Sequence, residues 1–358
     1  MKALITAGGR ATRLRPITHT INKHLIPIAG KPMLFYPIEK LRKAGIEDIG
    51  IIVNPGDTEL SKAIGDGERW NAHITYIEQT GGPLGIAHAV NLAHDFLGND
   101  PFIFYLGDNI VLGDIARFIK KFEDEKLHCL LALAKVPDPN RFGVPEIVDG
   151  RIVRVFEKPE HPPSDFAVTG IYIYDHHFFD AFSRITPSPR GEYEISDIHS
   201  ELINMGLNVG HEIISGWWKD TGKPEDLLEA NQLVLDEFSD GDATRDGEIM
   251  DDVKIQGKVR IGQKTKIGPN VLIRGPVVIG ENCVIKNSYI GPYSSIGNGV
   301  TIDGAEIEHS ILFDEVQVNC PRRIADSILG YRARVHNVNG SWPQGHKLIV
   351  GDHAVVEI

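Results

Sequence analysis

The sequence predicts an α/β protein of two domains, an open sheet layered with helices followed by a β-solenoid. From Met1 to about Phe238, short β-rich runs alternate with helical ones, the pattern of an open α/β sheet. Beyond a polar stretch an isoleucine recurs every six residues, a period that neither a helix nor a simple alternating strand produces. At 358 residues the chain also exceeds the roughly 250–300 residues that one core holds. The expected boundaries are 1–238 for the first domain, 239–252 for the linker and 253–358 for the second domain.

In the first domain the strands fall at Lys2–Ala7, Ile49–Val53, Ile74–Ile77, Phe102–Leu106, Leu130–Val136 and Phe166–Tyr174. Leu34, Ile38 and Leu41 share one helical face that ends at Gly45, and a second helix over Leu84–Phe96 ends near Gly98. Pro224 starts the last helix, PEDLLEANQLVLDEF, and SDGDATRDGEIMDD after it has the composition of a linker. Then Ile255, Ile261, Ile267, Ile273, Ile279 and Ile285 keep the six-residue spacing, and Ile290, Ile296 and Ile302 continue it after a one-residue slip. Each would point into a narrow interior and stack on the coil below, the glycine of IGQK, IGPN, IGEN, IGPY and IGNG permitting a sharp corner. The regular stretch holds about nine hexapeptides, roughly three triangular coils. After Phe313 the pattern loosens, and IVGDHAVVEI reads as a closing coil.

Composition narrows the function. A net charge of -12 excludes a general binder of nucleic-acid backbones, which needs a basic face, so any anion site is local. Cys129, Cys283 and Cys320 are widely spaced and form neither a CxxC metal pattern nor a disulfide framework. The chain starts directly in a strand and contains no 18-residue apolar span, which predicts a cytoplasmic protein without a membrane partner.

Five segments of the first domain carry chemistry. In AGGRATRLRP, Gly8 and Gly9 let backbone N–H groups approach phosphate oxygens, and Arg10 or Arg13 can add charge-assisted contacts, with Lys23 a further cation. In FIFYLGDNIV, an apolar strand ends in Gly107, Asp108 and Asn109, where open α/β sheets bind ligands. Asp108 suits Mg²⁺, which prefers one or two carboxylates plus water and phosphate, or it serves as a turn residue. Asp220 of GWWKDTGKPEDLL either caps the following helix or completes that metal site. In EQTGGPLGIAHAV, the amide of Gln79 can both donate to and accept from a pyrimidine edge, and Gly85 leaves room for a base or ribose. RFGV, EKP and RGEYEISD supply Gly143, Glu157, Lys158, Arg190 and Glu192: carboxylates for sugar hydroxyls, cations for a second phosphate.

Taken in order, AGGRATRLRPIT, Lys23 with IPIAGKPM, PLGIAHA, YLGDN, FGV, EKP, RGEYEISD and GWWKDTG resemble the sugar-1-phosphate nucleotidylyltransferases, in their long form. The likeness spans nearly the whole chain. It implies a Rossmann-like open mixed sheet followed by a left-handed parallel β-helix, Mg²⁺ as cofactor, and attack of glucose 1-phosphate on the α-phosphorus of dTTP. By this resemblance Gly8, Gly9, Arg13 and Lys23 hold the triphosphate, Gln79 and Gly85 meet the base, and Asp108 and Asp220 bind Mg²⁺. Asn109, Gly143, Glu157, Lys158, Arg190 and Glu192 would hold the sugar phosphate, and Arg13, Lys23 and Lys158 would carry the catalytic charge. The family's turn reads GGxGTR, whereas Ala11 stands here in place of its glycine, which questions a left-handed backbone at that position.

The nucleophile so implied is an ionised phosphate oxygen, so no general base is required and catalysis rests on alignment and charge stabilisation. UTP is the alternative nucleotide. From other classes, the solenoid could belong to an acyltransferase, with His309 as its nearest base, or the chain could be a silent regulatory subunit. The solenoid itself is expected to serve a homo-oligomer.

Overall fold

The computed structural model describes residues 1–9, 11–337, 350 and 352–356. The chain divides into two compact units that are not contiguous in sequence: Met1–Arg10 with Leu34–Asp220, and Ala11–Met33 with Thr221–Ile358. No helix among the described residues is long and apolar enough to cross a membrane.

The first unit is built on strands β1 (Lys2–Thr6), β2 (Asp48–Val53), β3 (His73–Glu78), β4 (Phe102–Leu106), β5 (Asn109–Val111), β6 (Cys129–Lys135), β7 (Gly143–Val148), β8 (Arg151–Glu157), β9 (Phe166–Tyr174), β10 (Val209–Ile213) and β11 (Trp218–Asp220). The main sheet runs β8-β7-β9-β4-β1-β2-β3, with β6 on β9 and β10 on β6, and β5 pairs with β11 apart from it. β4, β1, β2 and β3 are parallel, whereas β9 runs antiparallel to β4 and β6. The apolar runs Ala3–Ile5 of β1, Phe102–Tyr105 of β4 and Cys129–Leu133 of β6 follow from burial on both faces, and their side chains are essentially inaccessible. Because β1 to β4 are parallel, the loops after Thr6, Val53, Glu78 and Leu106 emerge at one edge of the sheet, where such folds place ligands. Three bonds hold these exits together: Ala7 N–H to Ile52 O at 2.7 Å, Gln79 N–H to Val53 O at 2.8 Å, and Gly107 N–H to Thr6 O at 3.0 Å.

The predicted strands form with ends shifted by a residue or so, and the first helix is Phe35–Lys43. The helix expected over Leu84–Phe96 is instead two pieces, Ile86–Asn91 and His94–Leu97. Gly85, at φ 100°, starts the first piece, and at its end Ala93 N–H turns to Val90 O, three residues back, which tightens the last turn.

The second unit contains the helix Pro224–Asp236, the short hairpin Pro27–Ile28 with Lys31–Pro32, and three parallel sheets of stacked short strands that make a three-sided β-helix. Ile255 lies over Ile273, Ile273 over Ile290, and Ile290 over Ile307. The slip read between Ile285 and Ile290 is a coil shortened by one residue, with the inward register kept. Two expectations change. The solenoid does not loosen after Phe313: Gln317–Asn319, Arg323–Ala325, Ile328–Leu329 and Arg334–His336 continue all three sheets, with Val318, Ile324, Leu329 and Val335 in the interior columns. Nor do most of the glycines after isoleucine supply corners through a positive φ: of those in the five motifs only Gly268, at φ 122°, has one. A Cβ on Gly262 would lie 2.7 Å from the Gly280 backbone, and one on Gly280 2.8 Å from that of Gly297, so these positions are glycine because the coils stack closely. Residues such as Lys264, Asn282, Tyr293 and Glu315 take the left-handed turns. The closing coil expected at 349–358 lies largely outside the described residues.

Candidate active site

At the ligand edge of the first unit, Asn54 grips the glycine turn from both sides. Gly9 N–H donates to its Oδ1 at 3.0 Å, and its Nδ2 donates to Gly9 O at 3.2 Å. A Cβ on Gly8 would lie 3.0 Å from Gln79 Oε1, so the glycine turn and the amide assigned to the base are direct neighbours. Sequence reasoning passed over Asn54, whose only signal is its place just after a strand. Gly85 is a glycine for a different reason from the one expected: a Cβ there would lie 2.5 Å from Tyr193 O, so the chain's own backbone fills the space read as room for a base. Any contact Gly85 makes with a ligand would come from its main chain.

Arg13 lies exposed on the one-turn helix Thr12–Leu14, and Lys23 opens the similar turn Lys23–Leu25, both in the second unit. Ala11 adopts the left-handed conformation that its side chain called into question, at φ 44° and ψ 41°. Its carbonyl accepts from Leu14 N–H at 3.1 Å and from the Thr18 hydroxyl at 2.8 Å, which holds the backbone there.

Asp108 and Asp220, distant in sequence, meet through the β5/β11 pair. Asn109 stands directly opposite Asp220, and such partners have Cα atoms about 4.5–5.5 Å apart. Asp108 immediately precedes that rung. Asp220 is therefore a strand residue, and the capping of the next helix falls to Lys223 and Asp226, joined by a 2.9 Å bond. Asn109 is 1% exposed, and its amide is committed: Nδ2 donates to Asp108 Oδ1 at 2.8 Å while Oδ1 accepts from Trp218 Nε1 at 2.6 Å. Its place is that of a residue orienting Asp108. Tyr172 of β9, 4% exposed, is a buried hydroxyl that the sequence reading missed. Burial raises its hydroxyl pKa far above the ordinary value, and the charges of Glu157, Asp108 and, more weakly, Asp220 raise it further, so three site carboxylates share its surroundings. Two hard oxygen donors, Asp220 on β11 and Asp108 just before β5, fit Mg²⁺.

The remaining predicted residues form a second cluster. Gly143 pairs across the sheet with Glu157 and with Val168. Glu157 Oε1 lies 3.0 Å from Lys158 Nζ and 3.5 Å from Arg190 Nη2, while its Oε2 accepts from Ser196 Oγ at 2.7 Å. Arg190 donates to Glu194 Oε1 through Nε at 3.1 Å and Nη2 at 2.8 Å, and stands 4.0 Å from Glu192. The hydrogen bond to Glu194, followed by the charges of Glu194, Glu157 and Glu192, raises the guanidinium's pKa further and keeps it charged. Glu194 and Ser196, both buried, are supporting residues within RGEYEISD that the sequence reading did not single out. Asp197, next to them, has a raised pKa, first from burial and then from Glu194 and Glu157, opposed by Arg154.

Two histidine groups lie elsewhere. His128, Asp175 and His177 bring ligand-type atoms within 4.8 Å of one another. His177 Nδ1 bonds Asp175 at 2.9 Å, and Asn208 N–H donates to His128 Nδ1 at 3.1 Å, so mutual and main-chain hydrogen bonds account for the group. His309, named above as the nearest base for an acyltransferase, is held within the solenoid: its Nδ1 is 2.6 Å from Asp326 Oδ1 on the next coil.

Comparisons with known proteins give the family. Residues 2–237 match the family model described as nucleotidyl transferase, and 258–288 match that of the bacterial transferase hexapeptide repeats, the left-handed parallel β-helix. The chain is 41% identical over 359 residues to a glucose-1-phosphate thymidylyltransferase of Streptomyces griseus, covering 100% of this chain and 99% of that one. A protein of the same name from Streptomyces antibioticus is 42% identical over 360 residues, covering 100% of this chain and 99% of its own. Among solved structures, a Bacillus anthracis protein assigned as glucose-1-phosphate thymidylyltransferase, in complex with sucrose, superposes with a TM-score of 0.63 at 39% identity. That likeness covers 67% of this chain and 97% of the other.

Proposed function

Because the chain belongs to the nucleotidyl transferase family, we propose that it is a glucose-1-phosphate thymidylyltransferase, joining glucose 1-phosphate to dTTP and releasing dTDP-glucose and pyrophosphate. The observation that carries this reading is the likeness along the full chain to enzymes of that name, at 41% and 42% identity.

A phosphate oxygen of glucose 1-phosphate attacks the α-phosphorus of dTTP. One P–O bond forms there, the bond to the bridging oxygen of the β-phosphate breaks, and pyrophosphate leaves with that electron pair. The attacking oxygen is already ionised near neutral pH, so the work of the protein is to bring two anions together and to neutralise the charge that develops. Gly8 and Gly9 bring the main chain close to the triphosphate, with the Gly9 N–H held by Asn54 Oδ1, Arg13 and Lys23 balance it and the leaving pyrophosphate, and Gln79 reads the pyrimidine edge. Lys158 and Arg190 take the sugar phosphate, Gly143, Glu157 and Glu192 the sugar, and Asn109 keeps Asp108 oriented. Asp108 and Asp220 would hold Mg²⁺, which when bound supplies positive charge to the phosphates. The reading includes a cytoplasmic location and a homo-oligomer formed through the β-helix.

The test is a panel of nucleoside triphosphates against sugar 1-phosphates, following pyrophosphate release with and without Mg²⁺. The expected result is Mg²⁺-dependent release, fastest with dTTP and glucose 1-phosphate. A clear preference for UTP would make the enzyme a uridylyltransferase, and no release from any pair would overturn the reading.

A further inference from the structure

We infer that the β-helix is part of the nucleotide-binding apparatus, with Asn231 and Arg260 as positioning residues that hold the Ala29–Gly30 turn and, through it, the loop that carries Lys23. The inference rests on the reading of Lys23 as a triphosphate ligand. All the residues concerned lie in the second unit, where Ala11–Met33 is grouped with the β-helix.

Ala29 and Gly30 take left-handed backbones, at φ 47° and 79°, between the strands Pro27–Ile28 and Lys31–Pro32. Such a turn suits the twist of a hairpin, but at Ala29 the conformation is disfavoured for a residue with a Cβ. Side chains far along the chain claim both backbone groups of Ala29. Its N–H donates to Asn231 Oδ1 at 2.8 Å, and its carbonyl accepts from Arg260 Nη2 at 3.0 Å. Asn231, on the helix Pro224–Asp236, is wholly buried. The same Oδ1 accepts from Ser295 Oγ at 2.6 Å, and Nδ2 donates to Tyr293 O at 2.9 Å, so one amide ties hairpin, helix and solenoid together.

The surface under the turn is formed by successive coils, since Arg260, Val278 and Ser295 are in register. A Cβ on Gly30 would lie 2.7 Å from Val278 Cγ1, so only glycine lets the turn lie against that face. A cavity of about 280 Å³, lined in part by Pro27, Gly30, Arg260 and Ser295, borders the contact. The turn is thus open toward that cavity, while Ala29, 2% exposed, packs with Leu235, Phe238 and Val278, so packing and the two hydrogen bonds fix it together. From there the path to the cation is short: Met33 N–H donates to Ile26 O at 3.0 Å, and Ile26 N–H to Lys23 O at 3.1 Å. Two bonds to one buried residue suit a loop whose cation must not drift, because a misplacement of about 1 Å can cost on the order of 10²-fold in rate.

The experiment compares the full-length wild type with Asn231→Ala, Arg260→Met, Arg260→Lys, Gly30→Ala and Ser295→Ala. Steady-state kinetics are measured for each substrate, together with thermal unfolding and hydrogen exchange over residues 23–33. Asn231→Ala, Arg260→Met and Gly30→Ala are expected to raise the KM for dTTP about tenfold or more with that for glucose 1-phosphate unchanged, and to speed exchange over 23–33. Arg260→Lys, which keeps a donor, should recover part of the loss. Ser295→Ala breaks a bond to the same amide without touching Ala29, so it should lower the unfolding temperature and leave the KM for dTTP as in the wild type. Folded Arg260→Met and Gly30→Ala proteins with wild-type KM and exchange would overturn the inference, as would a Ser295→Ala protein with the same kinetic defect. An inactive wild type would instead overturn the thymidylyltransferase reading, and exchange over 23–33 would then decide whether the turn is held as described.

Discussion

A left-handed backbone costs a residue with a Cβ about 1–2 kcal/mol, and Ala11 bears that cost in a loop assigned to the triphosphate. Two bonds to its carbonyl maintain the geometry, so the missing glycine of the motif changes strain more than shape. Ala11→Gly should therefore leave the KM for dTTP unaltered and raise stability by less than about 1 kcal/mol, because glycine's added freedom in the unfolded chain offsets part of the relieved strain. Kinetics and urea unfolding on the same preparation check both halves, and a markedly tighter KM would mean that alanine distorts the loop. At Asp108 the chemistry decides. In Asp108→Asn the amide oxygen can still accept from Asn109 Nδ2, so the fold should persist while kcat falls on the order of 10²–10³-fold. Near-normal pyrophosphate release by a folded variant would remove Asp108 from the metal site. Residues of this kind were legible from their motifs, whereas Asn54, Tyr172, Glu194 and Ser196 were not: they act by supporting others, and only the fold brings them to the residues they support.

Elements explain why half the site could be read and half could not. The exits of β1, β3 and β4 were visible as apolar runs ending in Gly, Gln or Asp, but the pairing of β5 with β11 was not, because each is three residues long and they lie far apart in sequence. That pairing turns Asp220 from a capping candidate into a neighbour of Asp108. A second feature without a sequence signal joins β9 to the helix Ile195–Asn204: the Tyr174 hydroxyl lies 2.6 Å from Nε2 of His199, both side chains being fully buried. If the hydroxyl donates to Nε2, only the Nδ1–H of His199 is left without a partner, whereas the reverse tautomer would strand two groups. Burial lowers the histidine's pKa to about 3. The native protein thus keeps His199 neutral while the unfolded chain takes up a proton below about pH 6.5, so stability is full above that pH and declines as pH falls toward 3. Between pH 7 and 5 the term amounts to about 2 kcal/mol. Urea midpoints at both pH values should show this loss in the wild type and a smaller one in His199→Gln, which keeps an acceptor for Tyr174 but cannot titrate. Equal losses in the two proteins would show that His199 is not the source.

On the scale of the whole molecule, the six-residue period made the solenoid the most legible part of the chain, because every coil repeats one demand: an aliphatic side chain in each interior column. The repeat did not reveal where the coils end, since Val318, Ile324, Leu329 and Val335 meet the same demand with mixed residue types, nor that the Ala11–Met33 loop belongs to the solenoid's unit. An array of this kind is stabilised by contacts between neighbouring coils, so the energy at a position depends on how many coils touch it. Ile279 is fully buried and lies in register with Ile261 on one side and Ile296 on the other. Ile255 begins its column, is only half-buried, and has Ile273 as its sole partner in the ladder among the described residues. The same truncation should therefore cost different amounts. Ile279→Ala is expected to lose about 2–5 kcal/mol, and Ile255→Ala less than half of that, the end coil having less packing to lose and more freedom to relax. Urea unfolding of the two variants, read on the full chain, checks the ordering. Equal losses would mean that the first coil is packed as tightly as the middle ones, and that something beyond the ladder, such as a second copy of the chain, covers that end.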